Sequence, residues 1–208
     1  MNLRARGGRF AMLLTGALSA APAPAMPDDL STHAERTAFR ETGRFEEVER
    51  LCAAYAKRCP RQVRCFEFGR TPQGRPMLAL AASADGVLTP EAARAADRPV
   101  LLFQGGIHAG EIDGKDAGFL ALRELLGDRA GPGALARVTW LFVPVFNVDG
   151  HERFDRWHRP NQRGPEEKGW RTTAQRLNLN RDYMKAEAPE MRAMLRLLGD
   201  WDPILYAD

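Results

Sequence analysis

Phe45, Val48, Leu51, Cys52 and Tyr55 recur at helical spacing with charged residues between them, which predicts an amphipathic helix from about 44 to 57. The pattern then changes period. Residues 63–69 and 77–83 read as strands. Between them Thr71-Pro72-Gln73-Gly74 is a turn with Pro at its second position and Gly at its fourth, so 63–83 reads as a hairpin. Thr89-Pro90-Glu91 opens a short helix with a Thr cap and Pro in the first turn. An apolar run from Val100 to Phe103 is of strand type and stops at Gly105-Gly106, after which the pattern is helical to about Leu126. Residues 128–133 read as a loop and 138–145 as another apolar strand. From 147 to 185 there are few apolar residues, much Arg, Asn and Gly, and no periodicity, the mark of a functional or mobile segment. Residues 189–198 predict a helix with Met191, Met194, Leu195 and Leu198 on one side, and 204–207 begin a strand that the chain end cuts off. Strands alternating with helices, plus a hairpin, imply an α/β domain: a mixed sheet flanked by helices.

The first residues follow a different logic. Arg4, Arg6 and Arg9 precede an apolar stretch at 10–20 that is too short to span a bilayer, and Ala23-Pro24-Ala25 supplies small residues for cleavage. This predicts a secretory signal at 1–25, a mature amino-terminal segment at 26–43, and a secreted or periplasmic product with no membrane span. Its removal changes the charge. The 208-residue chain carries 30 basic and 27 acidic residues, and residues 1–25 hold three arginines and no acid, so the mature chain is formally neutral. No basic patch with interleaved aromatics remains to argue for nucleic acid. Three cysteines stay after export, Cys52, Cys59 and Cys65, so a disulfide is permitted and one thiol is left over. Cys52 and Cys59 in one straight helix would stand about 10.5 Å apart, too far to bridge. If Pro60 ends that helix early, Cys59 curls back or pairs with Cys65; the sequence leaves this open.

Several mechanisms are struck out by what is missing. None of Ser19, Ser31 and Ser83 lies in Gly-x-Ser-x-Gly, and neither a phosphate-binding glycine loop nor His-Glu-x-x-His occurs. No cysteine has a His close in sequence to activate it. What remains is His108-x-x-Glu111, just past the strand that ends at Gly105-Gly106. Imidazole nitrogen and carboxylate oxygen bind zinc at about 2.0–2.2 Å, and residues three apart in a turn can reach one ion. The carboxyl edge of a sheet is where open α/β folds place their sites. Alone the pair is a weak signal, equally a surface His beside a Glu that favours a helix start. Downstream, Trp170-Arg171 and Asn178-Leu179-Asn180-Arg181 would make an anion clamp if they reached the same rim, since Arg forks bind carboxylates and stabilise oxyanions.

Taken in order, these pieces carry a resemblance. His108-x-x-Glu111, Pro144-x-x-Asn147-x-Asp149-Gly150, Trp170-Arg171 and Asn180-Arg181 resemble the zinc metallocarboxypeptidases of the carboxypeptidase A type, and the 69–76 turn resembles that family's first hairpin. The resemblance runs from about 40 to 208 and implies the phosphorylase/hydrolase-like carboxypeptidase fold, with a peptidase domain at 44–208 that is truncated at its C-terminus. It implies Zn2+ as cofactor, with His108 and Glu111 as two of three ligands. Arg171 would polarise the scissile carbonyl, and Asn180 and Arg181 would grip the terminal carboxylate of a peptide substrate. Zinc-polarised water would attack the amide with a glutamate as base. Asn178 stands where the family often has an acid that orients the first His ligand; an amide oxygen can accept that bond, without charge. The third His ligand and the general base lie beyond residue 208 in the family's order, so this form is expected to be inactive. His33, His151 and His158 are poor substitutes. A related zinc amidase acting on a small molecule or cell-wall peptide, and a non-catalytic remnant, are the other readings.

Overall fold

A computed structural model describes residues 30–127 and 133–208. The expected signal at 1–25 and nearly all of the expected loop at 128–133 lie outside the described residues. Leu30 is wholly buried, and Thr32 then caps a single helical turn, α1 (His33–Arg36). The Thr32 hydroxyl accepts the Glu35 N–H at 3.1 Å while the Glu35 carboxylate accepts the Thr32 N–H at 2.9 Å. The amphipathic stripe read from 44 forms α2 (Phe45–Arg58), burying Val48, Leu51, Cys52 and Tyr55.

The hairpin follows as β1 (Val63–Arg70) and β2 (Pro76–Ala82), antiparallel, with the Gly74 N–H closing the turn onto Thr71 O at 2.9 Å. Next come α3 (Pro90–Ala95), capped by the Thr89 hydroxyl, β3 (Val100–Gln104) and α4 (Asp113–Leu126). β4 (Thr139–Val143) is shorter than the apolar run at 138–145. Pro144 has no N–H to give the ladder, so the strand stops before it. The stretch at 147–185 is not wholly irregular: α5 (Val148–His151), a 3-10 turn at Leu179–Arg181 and a bridge between Asp155 and Lys168 lie in it. Each is too short to show a period. Finally α6 (Pro189–Trp201) runs three residues past the expected end, until Asp202 turns left-handed at φ 44°, and β5 (Leu205–Ala207) closes the chain. The buried side of α6 is Met191, Ala193, Met194, Leu197 and Trp201; Leu195, expected on that side, is exposed.

The strands form one mixed sheet in the order β1-β2-β4-β3-β5, with β4 antiparallel to β2 and β3 parallel to both β4 and β5. All five residues of β4 are buried, as a continuous apolar run in the sheet interior requires. Cys65 and Phe66 are neighbours in β1 and point to opposite faces. Cys65 is bonded to Cys52 of α2, whereas Phe66 stacks on Trp201 of α6 at 6.0 Å, so helices cover both faces. On the first face the Tyr55 hydroxyl of α2 donates to Phe119 O of α4 at 3.0 Å, and Phe119 meets Phe142 of β4 edge-on at 5.3 Å. The disulfide joins Cys52 and Cys65, and Cys59 is the free thiol, so neither pairing weighed for Cys59 forms. α2 stays helical to Arg58 and keeps Cys59 seven residues from Cys52 along the axis.

Candidate metal and substrate site

The site begins where β3 ends. Gly105 N–H donates to Val143 O at 2.9 Å, and Gly105 O and Gly106 O accept from Phe146 and Asn147 at 2.9 and 3.0 Å. Gly106 takes φ 66°, a left-handed conformation that side chains resist. A Cβ at Gly105 would lie 2.7 Å from Pro144 O and 2.8 Å from Lys115 N, so only glycine lets strand, loop and helix start meet there. This pinned corner presents His108, which is 8% exposed, in a tight turn closed by Glu111 N–H to His108 O at 2.8 Å.

His108 Nδ1 and Glu111 Oε2 are 3.3 Å apart. Two donor atoms each about 2.0–2.1 Å from a tetrahedral ion stand roughly 3.3–3.4 Å apart, so imidazole and carboxylate fit two corners of a zinc site. His108 Nε2 is buried and has no hydrogen-bond partner among the described residues. The amide oxygen of Asn178 does not reach it, being used at 3.1 Å by the Asn180 N–H to cap the 3-10 turn. Among the described residues no group of three or more His, Cys, Asp or Glu could hold a metal ion. His33 is instead beside Glu41, His151 beside Glu152 and Phe154, and His158 against Trp170.

Four further side chains that the sequence did not single out lie around the pair. Arg159 Nη2 lies 2.7 Å from Glu111 Oε1, leaving Oε2 for His108. Asp208 accepts from Gln104 Nε2 at 3.0 Å, and the Tyr206 hydroxyl donates to Gln104 Oε1 at 2.8 Å. Burial raises the Asp208 carboxyl above its usual range, partly offset by Gln104 and by the nearby His108. Arg159 sits in an irregular loop 48 residues from Glu111, where no spacing points to it. Gln104, a polar residue closing an apolar strand, was the one visible signal.

The other expected pieces are drawn in through the backbone. Gly169 packs so closely that an added Cβ would be 2.7 Å from Ala109 O and 2.8 Å from Gly150 O, which sets Trp170-Arg171 beside the His108 turn. Trp170 N–H donates to Gly150 O at 2.7 Å, and Asn147 Nδ2 to Arg171 O at 3.1 Å. Asp149, wholly buried, accepts from the Thr71 hydroxyl and Arg75 at 2.8 and 2.7 Å, tying the first hairpin to the same corner. The Asn180-Arg181 turn is followed by Tyr183, whose hydroxyl meets that of Tyr206 on β5, at the edge of Gln104 and Asp208. The guanidiniums of Arg171 and Arg181 make no ion pair among the described residues; Arg181 donates only to Asn180 O, at 2.7 Å. The backbone therefore gathers His108-x-x-Glu111, the 144–150 turn and Trp170-Arg171 at the carboxyl end of β3, and the Asn180-Arg181 turn is linked to it through Tyr183, Tyr206 and Gln104.

A sequence profile described as zinc carboxypeptidase matches residues 48–208. The chain belongs to the zinc carboxypeptidase family. Its fold is also that of solved family structures. A carboxypeptidase A from Helicoverpa armigera superposes with a TM-score of 0.60 at 21% identity, over 79% of this chain and 44% of that one. A metallo-carboxypeptidase from Burkholderia cenocepacia gives 0.55 at 25% identity, over 76% and 39%. The chain thus spans less than half the length of these two family structures. No curated protein matches at the same stringency. The family is one of zinc-dependent peptidases.

Proposed function

We propose that the chain carries part of the machinery of an exported zinc carboxypeptidase that removes the last residue of a peptide. The observation that carries this reading is the 3.3 Å convergence of His108 Nδ1 and Glu111 Oε2 at the end of β3, inside a family match. His108 and Glu111 hold the metal, and Arg159 fixes the Glu111 carboxylate by taking its other oxygen. Zinc, when bound, supplies a polarised water and a Lewis acid. Arg171 polarises the scissile carbonyl, and Asn180 with Arg181 binds the substrate's terminal carboxylate, a role for which an unpaired guanidinium fork is suited. The Cys52–Cys65 disulfide supports export, since such bonds persist in oxidising compartments. No helix among the described residues is long and apolar enough to cross a membrane.

Zinc titration by calorimetry tests the metal assignment without any turnover. Wild type should bind one ion, and His108→Ala or Glu111→Gln should weaken it about tenfold or more. Equal affinity in all three proteins would sink the assignment. The substrate roles are tested by binding a peptide with a free carboxyl terminus against its amide. Wild type should prefer the acid and Arg181→Ala should not. With two protein ligands grouped among the described residues, the 208-residue chain should release no C-terminal residue faster than its His108→Ala variant. Zinc-dependent turnover abolished by His108→Ala would show that a third ligand is supplied.

A further inference from the structure

Next to the metal pair lies a cleft of about 610 Å³, between the Phe39–Arg40 turn and the loop at 156–168. Its volume is that of a ligand site. Two of its lining residues also touch the candidate site: Arg159 holds Glu111 at 2.7 Å, and Gln162 Nε2 donates to Gly110 O at 3.0 Å. Cleft and metal pair share a wall.

The lining is strongly one-signed. Arg40, Arg156, Arg159, Arg163 and Lys168 face it against a single carboxylate, Glu166. Arg156 is neutralised by Glu166 at 2.6 Å, and Lys168 is buried with its ammonium on Pro165 O at 3.0 Å. Arg40 and Arg163 are exposed and have no ion pair among the described residues. In a mature chain that is neutral overall, this excess is local. It sits beside two aromatic rings held in water: Trp157 is 73% exposed and Phe39 is 68% exposed. Phe39 does so at φ 60°, a left-handed conformation that bulky residues rarely adopt. An aromatic kept outside the core on a strained backbone contributes nothing to burial, and strain of this kind clusters where ligands bind.

We propose that this cleft binds an acidic peptide segment: the residues of a substrate that lie upstream of the bond placed at His108 and Glu111. Forked guanidiniums at Arg40 and Arg163 match side-chain carboxylates bidentately, and the two rings receive the methylenes and backbone between them. The word substrate rests on the carboxypeptidase reading; the binding itself does not. Specificity would then be set by acidic residues ahead of the cleaved bond.

The test is fluorescence anisotropy with the metal-free full chain at 0.15 M salt, using labelled Glu-Glu-Glu-Phe and Gln-Gln-Gln-Phe. The acidic peptide should bind about tenfold tighter. The Arg40→Ala/Arg163→Ala double variant should lose that preference, with its fold checked by circular dichroism. His108→Ala should keep it, so failure of the metal assignment leaves this result standing. Equal binding of the two peptides, or an unchanged preference in the double variant, would overturn the proposal. So would tripolyphosphate displacing the acidic peptide as well as unlabelled peptide does, because charge alone would then explain the binding.

Discussion

His108 meets different surroundings at its two nitrogens, and this is where one substitution should act. Nδ1 faces Glu111, whereas Nε2 is buried without an acceptor among the described residues. A metal-bound imidazole normally donates its second N–H to a carboxylate or carbonyl, which fixes the ring and raises its basicity. Asn178→Asp would add charge at the position the family uses for that acid. We expect the carboxylate to leave the Asn180 N–H that the amide oxygen now caps for the buried Nε2, and zinc affinity to rise about tenfold, read by calorimetry; an unchanged affinity would mean that it stays on the turn. Gly110→Ala is a steric test: the new Cβ would lie 2.6 Å from Arg159 Cδ and 2.7 Å from Gly169 O. Arg159 can move but the Gly169 carbonyl is backbone, so a loss of about 1–3 kcal/mol is expected in urea unfolding. His108 and Glu111 were legible because their contact spans three residues. Arg159 was not, because its pairing with Glu111 depends on how a loop without periodicity folds back.

Among the described elements, the apolar pattern located each strand and each long helix, and its errors have local causes. Pro144 cut β4 short, and the buried side of α6 took in Ala193, Leu197 and Trp201 in place of Leu195. The one-turn helices were invisible to any period, although Asn147 and Asn178 cap two of them with their side-chain oxygens. The disulfide was undecidable from spacing, because it depends on β1 running alongside α2. It closes a loop with a sequence separation of 13 and joins elements on one face of the sheet. In the chain-entropy account that loop is worth about 3 kcal/mol, so Cys52→Ala/Cys65→Ala should lower unfolding free energy by roughly that amount. The comparison is best made in denaturant, oxidised wild type against double variant; a loss under about 1 kcal/mol would contradict the entropic account.

For the molecule as a whole, one buried histidine outside the metal pair contributes to acid stability. Burial pulls His151 down to about 4 from its ordinary 6.5, only partly opposed by Glu152 at 3.2 Å. Above pH 6.5 the ring is neutral in folded and unfolded chains alike, and the contribution is whole. As pH falls from 6.5 toward 4, the unfolded chain takes a proton that the folded one refuses. Stability should fall across that window by up to about 3 kcal/mol from this group. His151→Gln should remove that part of the slope. The check is the difference in denaturation midpoint between pH 7 and 4.5, variant against wild type. An identical difference in both would show that His151 does not titrate this way. The mixed sheet was foreseeable from alternating elements, whereas the strand order was not, since it depends on pairings such as Leu80 with Phe142.

The corner that presents His108 is closed by partners distant in sequence. Gly105 and Gly106 bond to Phe146 and Asn147, Ala109 packs on Gly169, and Asp149 reaches back to Thr71 and Arg75. Each closure confines a long loop before it returns any contact, whereas β1 and β2 need close only a short turn. In refolding, the hairpin should therefore gain amide protection first and the His108 turn last. Pulsed hydrogen exchange would follow Ala81, whose N–H faces β1, beside Asn147 and Trp170. Simultaneous protection of all three would mean that the binding corner forms in the same step as the sheet.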